Sequence, residues 1–168
     1  MTDPLTWLLQ DDSADGPAAF AAGTEAEFYM ADKGRGFLAL GSGRAPVAGA
    51  RRIEVLFAAG SYGAGGGDLL FAVGLWTPAD FRGEFLAWYQ VEHLPLLLEC
   101  PAWEGCRFVE QPVALGCQFH ALHQLGSREA LESEARRRSR ATPWFRRLQA
   151  QAWFDGAFTR TLYCRPDR

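Results

Sequence analysis

The chain lacks the apolar length that a membrane span needs. Its longest clean apolar run, residues 69–76, falls far short of the ~20 residues required to cross a bilayer. It has no CxxC pair and no histidine at finger-like spacing from a cysteine, which argues against a structural zinc site. Cys100, Cys106, Cys117 and Cys164 are therefore expected as reduced thiols in a cytoplasm, not as a disulfide framework. Basic excess is missing too. Lys and Arg number 17 against 20 Asp and Glu, for a net charge of −3, so neither nucleic acid nor an anionic membrane is an expected partner. The first twelve residues carry no basic region and run into acids, unlike a secretory signal. The glycines of residues 60–67 have no Lys-Ser/Thr after them and precede a strand, the reverse of a phosphate loop. They read as a flexible tether, exposed and mobile.

What is present is an ordinary globular balance. Apolar residues make up 48% and charged residues 22% of 168 positions, enough for one domain or for two small units sharing a core. Residues 69–76 read as a buried strand. Thr77, Pro78 and Asp80 then predict a helix start, and Phe81, Phe85, Trp88 and Tyr89 recur at helical spacing. Pro95 is expected to kink that helix near His93, with a last turn over residues 96–98. Residues 107–111 and 117–124 predict paired strands around a Pro/Gly loop. Ser127 is expected to cap a charged helix reaching Arg140, and Thr142-Pro143 to start another through Phe154. Gly156 ends it, and residues 158–164 alternate as a closing strand. The order is βαββαβ, a ferredoxin-like unit of the α+β class.

The first sixty residues read as a worn copy of this unit. Residues 37–40 match 119–122 at an offset of 82, residues 27–29 match 107–109 at 80, and residues 52–57 match 158–163 at 106. One deletion of the second helical region explains the jump, with a shortened first helix left near residues 17–23. The expected division is a degenerate ferredoxin-like half at residues 1–59, the tether at 60–67, and a complete half at 68–168. A lone ferredoxin-like sheet leaves one apolar face bare, so the two sheets should face each other within a monomeric pseudo-dimer, or a homodimer should supply the cover.

Residues 88–98 (WYQVEHLPLLL), then Pro101-Ala102-Trp103 and Cys106-Arg107-Phe108, resemble the EthD-like branch of the dimeric α/β barrel superfamily. There a Trp-Tyr…His-Leu-Pro…Leu stretch precedes a Pro-Gly-Trp/Phe turn and an Arg-Arg-Phe strand start. Ala102 stands in place of the glycine and Cys106 in place of the first arginine. The resemblance covers about residues 70–165. It implies an α/β barrel with a cavity for a small hydrophobic or aromatic molecule and no cofactor. Relatives include monooxygenases, polyketide cyclases, dehalogenases, haem-degrading enzymes and members without activity, so the fold alone sets no reaction.

His93 is the candidate acid/base. It lies one helical turn after Tyr89, a candidate hydrogen-bond donor, and an imidazole there would move a proton on a phenol or ketone. The competing role is a histidine that ties the helix end to a loop. Glu92 points about 100° away and reads as an ion-pair residue. His120 and His123 face opposite sides of one strand, and His120 is the one expected to reach the cavity. A three-histidine metal site would need both strand faces. Trp88, Trp103 and Phe108 are candidate walls. Arg136, Arg137, Arg138, Arg140, Arg146 and Arg147, interleaved with glutamates, read as a solvated helix face. The expected function is an enzyme of the cofactor-independent kind (a monooxygenase, cyclase or relative) on an aromatic or polyketide-like compound. The alternative is a non-catalytic binding or assembly module with a filled cavity.

Overall fold

The computed structural model describes residues 5–11, 26–33, 35–43, 49–62 and 67–166. The short helix expected near residues 17–23 and the centre of the tether, residues 63–66, lie outside the described residues.

Among the described residues the strands are β1 (Trp7–Asp11), β2 (Ala26–Ala31), β3 (Phe37–Gly41), β4 (Arg51–Arg52), β5 (Glu54–Gly60), β6 (Leu69–Thr77), β7 (Trp103–Gln111), β8 (Cys117–Leu125) and β9 (Phe158–Cys164). They form one sheet in the order β4-β1-β3-β2-β9-β6-β8-β7-β5, and every pairing is antiparallel. The fold is α+β and ferredoxin-like. The two halves do not stack as separate sheets, as expected from sequence, but join edge to edge, β2 to β9 and β7 to β5. β4 pairs at one end of the order and β5 at the other, with Ile53 alone between them. Ten residues of chain thus bring the two ends together and all but close a barrel.

Alternation along each strand sorts side chains between two cores. Leu70 of β6, Val109 of β7, Leu122 of β8 and Tyr163 of β9 point into the barrel, where they meet Tyr29, Leu38 and Leu40. Burying each contributes roughly 1.5–3 kcal/mol, so the barrel interior is a packed core. The alternate residues of the same strands, Phe71, Leu75, Phe108 and Phe119 among them, point outward and are covered by helices.

The helical layer departs from expectation in informative ways. Thr77 ends β6 instead of capping, and Pro78, extended at φ −58° and ψ 149°, precedes a 3-10 turn at Ala79–Phe81. The helix then runs as α1 (Arg82–Trp88), a π turn (Tyr89–His93) and α2 (Leu94–Leu98) without leaving helical dihedrals. Pro95 does not break it. The Leu94 N–H reaches back to the Tyr89 carbonyl, and the widened turn accommodates a proline that brings no donor of its own. Ser133, not Ser127, caps α3 (Glu134–Ser139) by accepting from the Arg136 N–H, after a 3-10 turn at Arg128–Glu132. Thr142 caps α4 (Pro143–Gln149) as its Thr-Pro pair predicts, but α4 ends well before Phe154.

The described ends of the glycine stretch are fastened to the barrel. Gly60 closes β5 at φ +76°, and a side chain there would collide with the Glu104 carbonyl. Tyr62 lies under the Arg107 guanidinium, 3.4 Å from ring centroid to Cζ. Gly67 donates its N–H to Glu104 Oε2 at 2.7 Å, and its carbonyl accepts from Gln124 Nε2 at 2.7 Å.

Candidate functional site

A cavity of about 260 Å³ lies between the outward face of β6, β8 and β9 and the helices above it. Side chains fill the barrel interior, so the cavity lies outside it, under the helices. The candidate acid/base His93, the candidate donor Tyr89 and two of the candidate walls, Trp88 and Trp103, line the actual cavity. Phe108 does not. It sits behind Tyr89, with ring centroids 4.4 Å apart, and stacks on Phe57 at 4.9 Å. His120 does not line it either, because it lies on the other side of the sheet with Leu122, its Nε2 3.3 Å from Gln111 Oε1. His123 lines the cavity in its place.

The π turn builds the centre of the site. It carries Tyr89 at its start and His93 at its end, on one side, with ring centroids 4.9 Å apart. The Tyr89 hydroxyl oxygen lies 2.7 Å from His123 Nε2, and the Trp103 indole donates to His123 Nδ1 at 2.9 Å. An indole N–H only donates, so Nδ1 accepts and the proton of the neutral ring is on Nε2. His123 therefore donates to the Tyr89 oxygen, and the Tyr89 O–H is left to donate elsewhere. Burial and the nearby His93 and Arg136 push His123 down to about 3, so this tautomer persists at neutral pH. Burial likewise pushes the Tyr89 phenol well above its usual value, which makes it a donor and not a base.

His93 has the opposite polarity. Its Nδ1 lies a long 3.4 Å from the Ser139 carbonyl oxygen, which can only accept, so the proton is on Nδ1. Its Nε2 has no partner among the described residues and presents a lone pair. Burial pulls the ring down to about 4, partly opposed by the Ser139 bond, so the ring is neutral at pH 7. Trp88 packs against it at 4.4 Å between ring centroids, and the Trp88 indole N–H is buried without a partner among the described residues. Glu92, expected as an ion-pair residue, accepts a hydrogen bond from the Thr142 hydroxyl at 2.6 Å and ties the π turn to the cap of α4.

The arginine run divides. Arg137 pairs with Glu134 and Arg138 with Glu99, as a solvated face would. Arg136 and Arg140, joined by Arg160 of β9, instead line the cavity mouth, beside Asp155. The periodicity of α3 places Arg136 and Arg140 on one face, which was legible, but nothing local in the sequence turns that face toward a cavity.

No protein-family model matches the chain, and no curated protein matches it. Solved structures do. An anthrone oxidase-like protein aligns at a TM-score of 0.67 and 15% identity over 99% of this chain and 94% of its own. A ferredoxin-fold protein of Listeria monocytogenes related to antibiotic biosynthesis monooxygenases aligns at 0.65 and 14%, over 98% and 96%. The heme-degrading enzyme LmHde of Listeria monocytogenes aligns at 0.62 and 13%, over 95% and 99%. At these identities the likeness is one of fold, and it spans the whole barrel.

Proposed function

We propose that this chain is a small-molecule-binding α/β barrel protein that acts as a cofactor-independent enzyme on an aromatic or polyketide-like compound. His93 is its general base and Tyr89 its hydrogen-bond donor. The observation that carries the reading is a ligand-sized cavity bordered by an imidazole lone pair with no partner among the described residues and a phenol whose proton is directed away from His123. A substrate with an acidic O–H, or a C–H beside a carbonyl, would lose its proton to His93 Nε2. The phenolate or enolate oxygen so formed would accept from Tyr89, and its negative charge would in turn stabilise the new imidazolium. Trp88, Trp103 and Phe71 supply the flat apolar walls that such a ring system needs. The monooxygenase-related, anthrone oxidase-like and heme-degrading descriptions of the fold neighbours are consistent with this substrate class.

The reading extends to the ancestry of the chain. Residues 1–59 are proposed as a degenerate half, and residues 68–168 as an EthD-like half in a tandem form housed in the cytoplasm. The support is that β4-β1-β3-β2 and β9-β6-β8-β7 follow the same strand connectivity. Gly41, which corresponds to His123 at the offset of 82, has no room for a side chain against the Trp7 ring. The first half thus has a filled counterpart of the site.

The test is a comparison of wild type, His93→Ala and Tyr89→Phe in a panel of phenols, anthrones and β-diketones. His93→Ala is expected to abolish turnover and keep binding, with a loss of stability of about 1 kcal/mol for one long hydrogen bond. Tyr89→Phe should slow turnover about 10²-fold or more, the usual effect of removing one oxyanion donor. Full turnover by His93→Ala would sink the catalytic role and leave a binding module.

A further inference from the structure

The three mouth arginines lack the partners that their neighbours have. Arg137 and Arg138 on the same helix each hold a carboxylate, at 2.8 and 2.7 Å. Among the described residues no ion pair joins Arg136, Arg140 or Arg160 to an acid, although Asp155 lines the same mouth and Glu132 lies near Arg136. Arg136 spends one N–H on the Leu131 carbonyl. Burial and the charges of Arg140 and Arg160 disfavour the cationic form of Arg136, and burial and then the charge of Arg140 do the same to Arg160. Like charges at i,i+4 and across to a strand are a standing cost to the fold. Each guanidinium is held beside an aromatic ring that lines the cavity. The Cζ-to-centroid distances are 5.8 Å for Arg136 over Phe71, 6.0 Å for Arg140 over Phe145 and 4.8 Å for Arg160 over Phe158. The Tyr89 O–H, with His123 donating to its oxygen, adds a further donor in the cavity wall.

We propose that Arg136, Arg140 and Arg160 form a carboxylate subsite, so that the ligand of this cavity is an aromatic carboxylate with its acid group at the mouth and its rings between Trp88, Trp103 and Phe71. The inference rests on the cavity being a ligand site, as proposed above, and adds the substrate class. A planar guanidinium takes a carboxylate bidentately. An anion there would also offset the mutual repulsion of the three cations. The apolar depth of the cavity favours an organic acid over a free inorganic anion.

The test uses the full chain and two probes of one shape, 2-naphthoate and neutral 2-naphthamide, titrated by calorimetry and tryptophan fluorescence. Naphthoate is expected to bind about ten-fold or more tighter than the amide, the equivalent of one charge-assisted hydrogen bond. That preference should shrink as salt is raised. Arg140→Gln with Arg160→Gln, both exposed positions, should cut the preference several-fold and leave amide affinity in place, with an unchanged or higher melting temperature. Equal affinity of the two probes for the wild type, or a preference undiminished by the double substitution, overturns the subsite while the ligand cavity stands. Failure of both probes to bind overturns the cavity reading and the subsite with it.

Discussion

At the scale of single residues, the histidines are governed by burial more than by partners. His93 and His120 are each pulled down to about 4 and His123 to about 3, against 6.5 for an ordinary imidazole. In all three the first cause is loss of hydration of the charged ring. Between pH 6.5 and these values the unfolded chain binds protons that the folded chain excludes, so folding stability must fall as pH falls. The stability is fully present above about pH 6.5 and progressively lost toward pH 4. Thermal melts at pH 7.5 and 4.5 should show this loss, and His93→Gln should flatten the profile in that window. A melting temperature independent of pH across the window would mean that these rings are wetter than their surroundings indicate. The same residues show what sequence spacing can and cannot say. That His93 and Tyr89 share a face follows from four positions on a helix. That His93 borders a cavity while also holding a backbone carbonyl, two roles posed as alternatives, depends on Ser139 coming from another helix.

At the scale of elements, the π turn is held from outside. Thr142 accepts from the Phe145 N–H at 3.1 Å and donates to Glu92 at 2.6 Å, so one hydroxyl starts α4 and anchors the turn carrying Tyr89 and His93. Thr142→Ala should cost about 1–2 kcal/mol, the usual range for a lost N-cap. Thr142→Ser should recover most of it, and ligand affinity should follow the same order because Glu92 is released along with the cap. Unfolding in urea together with a binding titration checks both, and unchanged affinity in Thr142→Ala would show that the π turn holds its shape unaided. The Thr-Pro signature made this cap legible. The same signature misled at Thr77-Pro78, where β6 pairs with β8 through Thr77 and keeps that residue in the sheet. Long-range pairing there outweighs a local capping preference.

At the scale of the whole molecule, the barrel depends on both halves. Arg107 of β7 reaches Glu27 of β2 at 2.6 Å, 80 residues away, and β5 and β9 each pair across the division. A chain cut to residues 68–168 would expose Leu70, Val109, Leu122 and Tyr163, which the full chain buries. Such a fragment is expected to be non-monomeric in size-exclusion chromatography with light scattering, through self-pairing of the same face or aggregation. A well-folded monomer would show that the second half is independent of the first. By itself the sequence determined the βαββαβ order, the apolar periodicity of the first helix, the Thr142 cap and the pairing of His93 with Tyr89, because each is set by residues a few positions apart. Alternation along β8 also determined that His120 and His123 face opposite ways. It did not determine which face held the cavity. Tertiary structure decided that, by filling the barrel with side chains and leaving a gap under the helices. It also carried Arg136 of α3, Arg140 at its C-cap and Arg160 of β9 to one mouth, a convergence that no local spacing encodes.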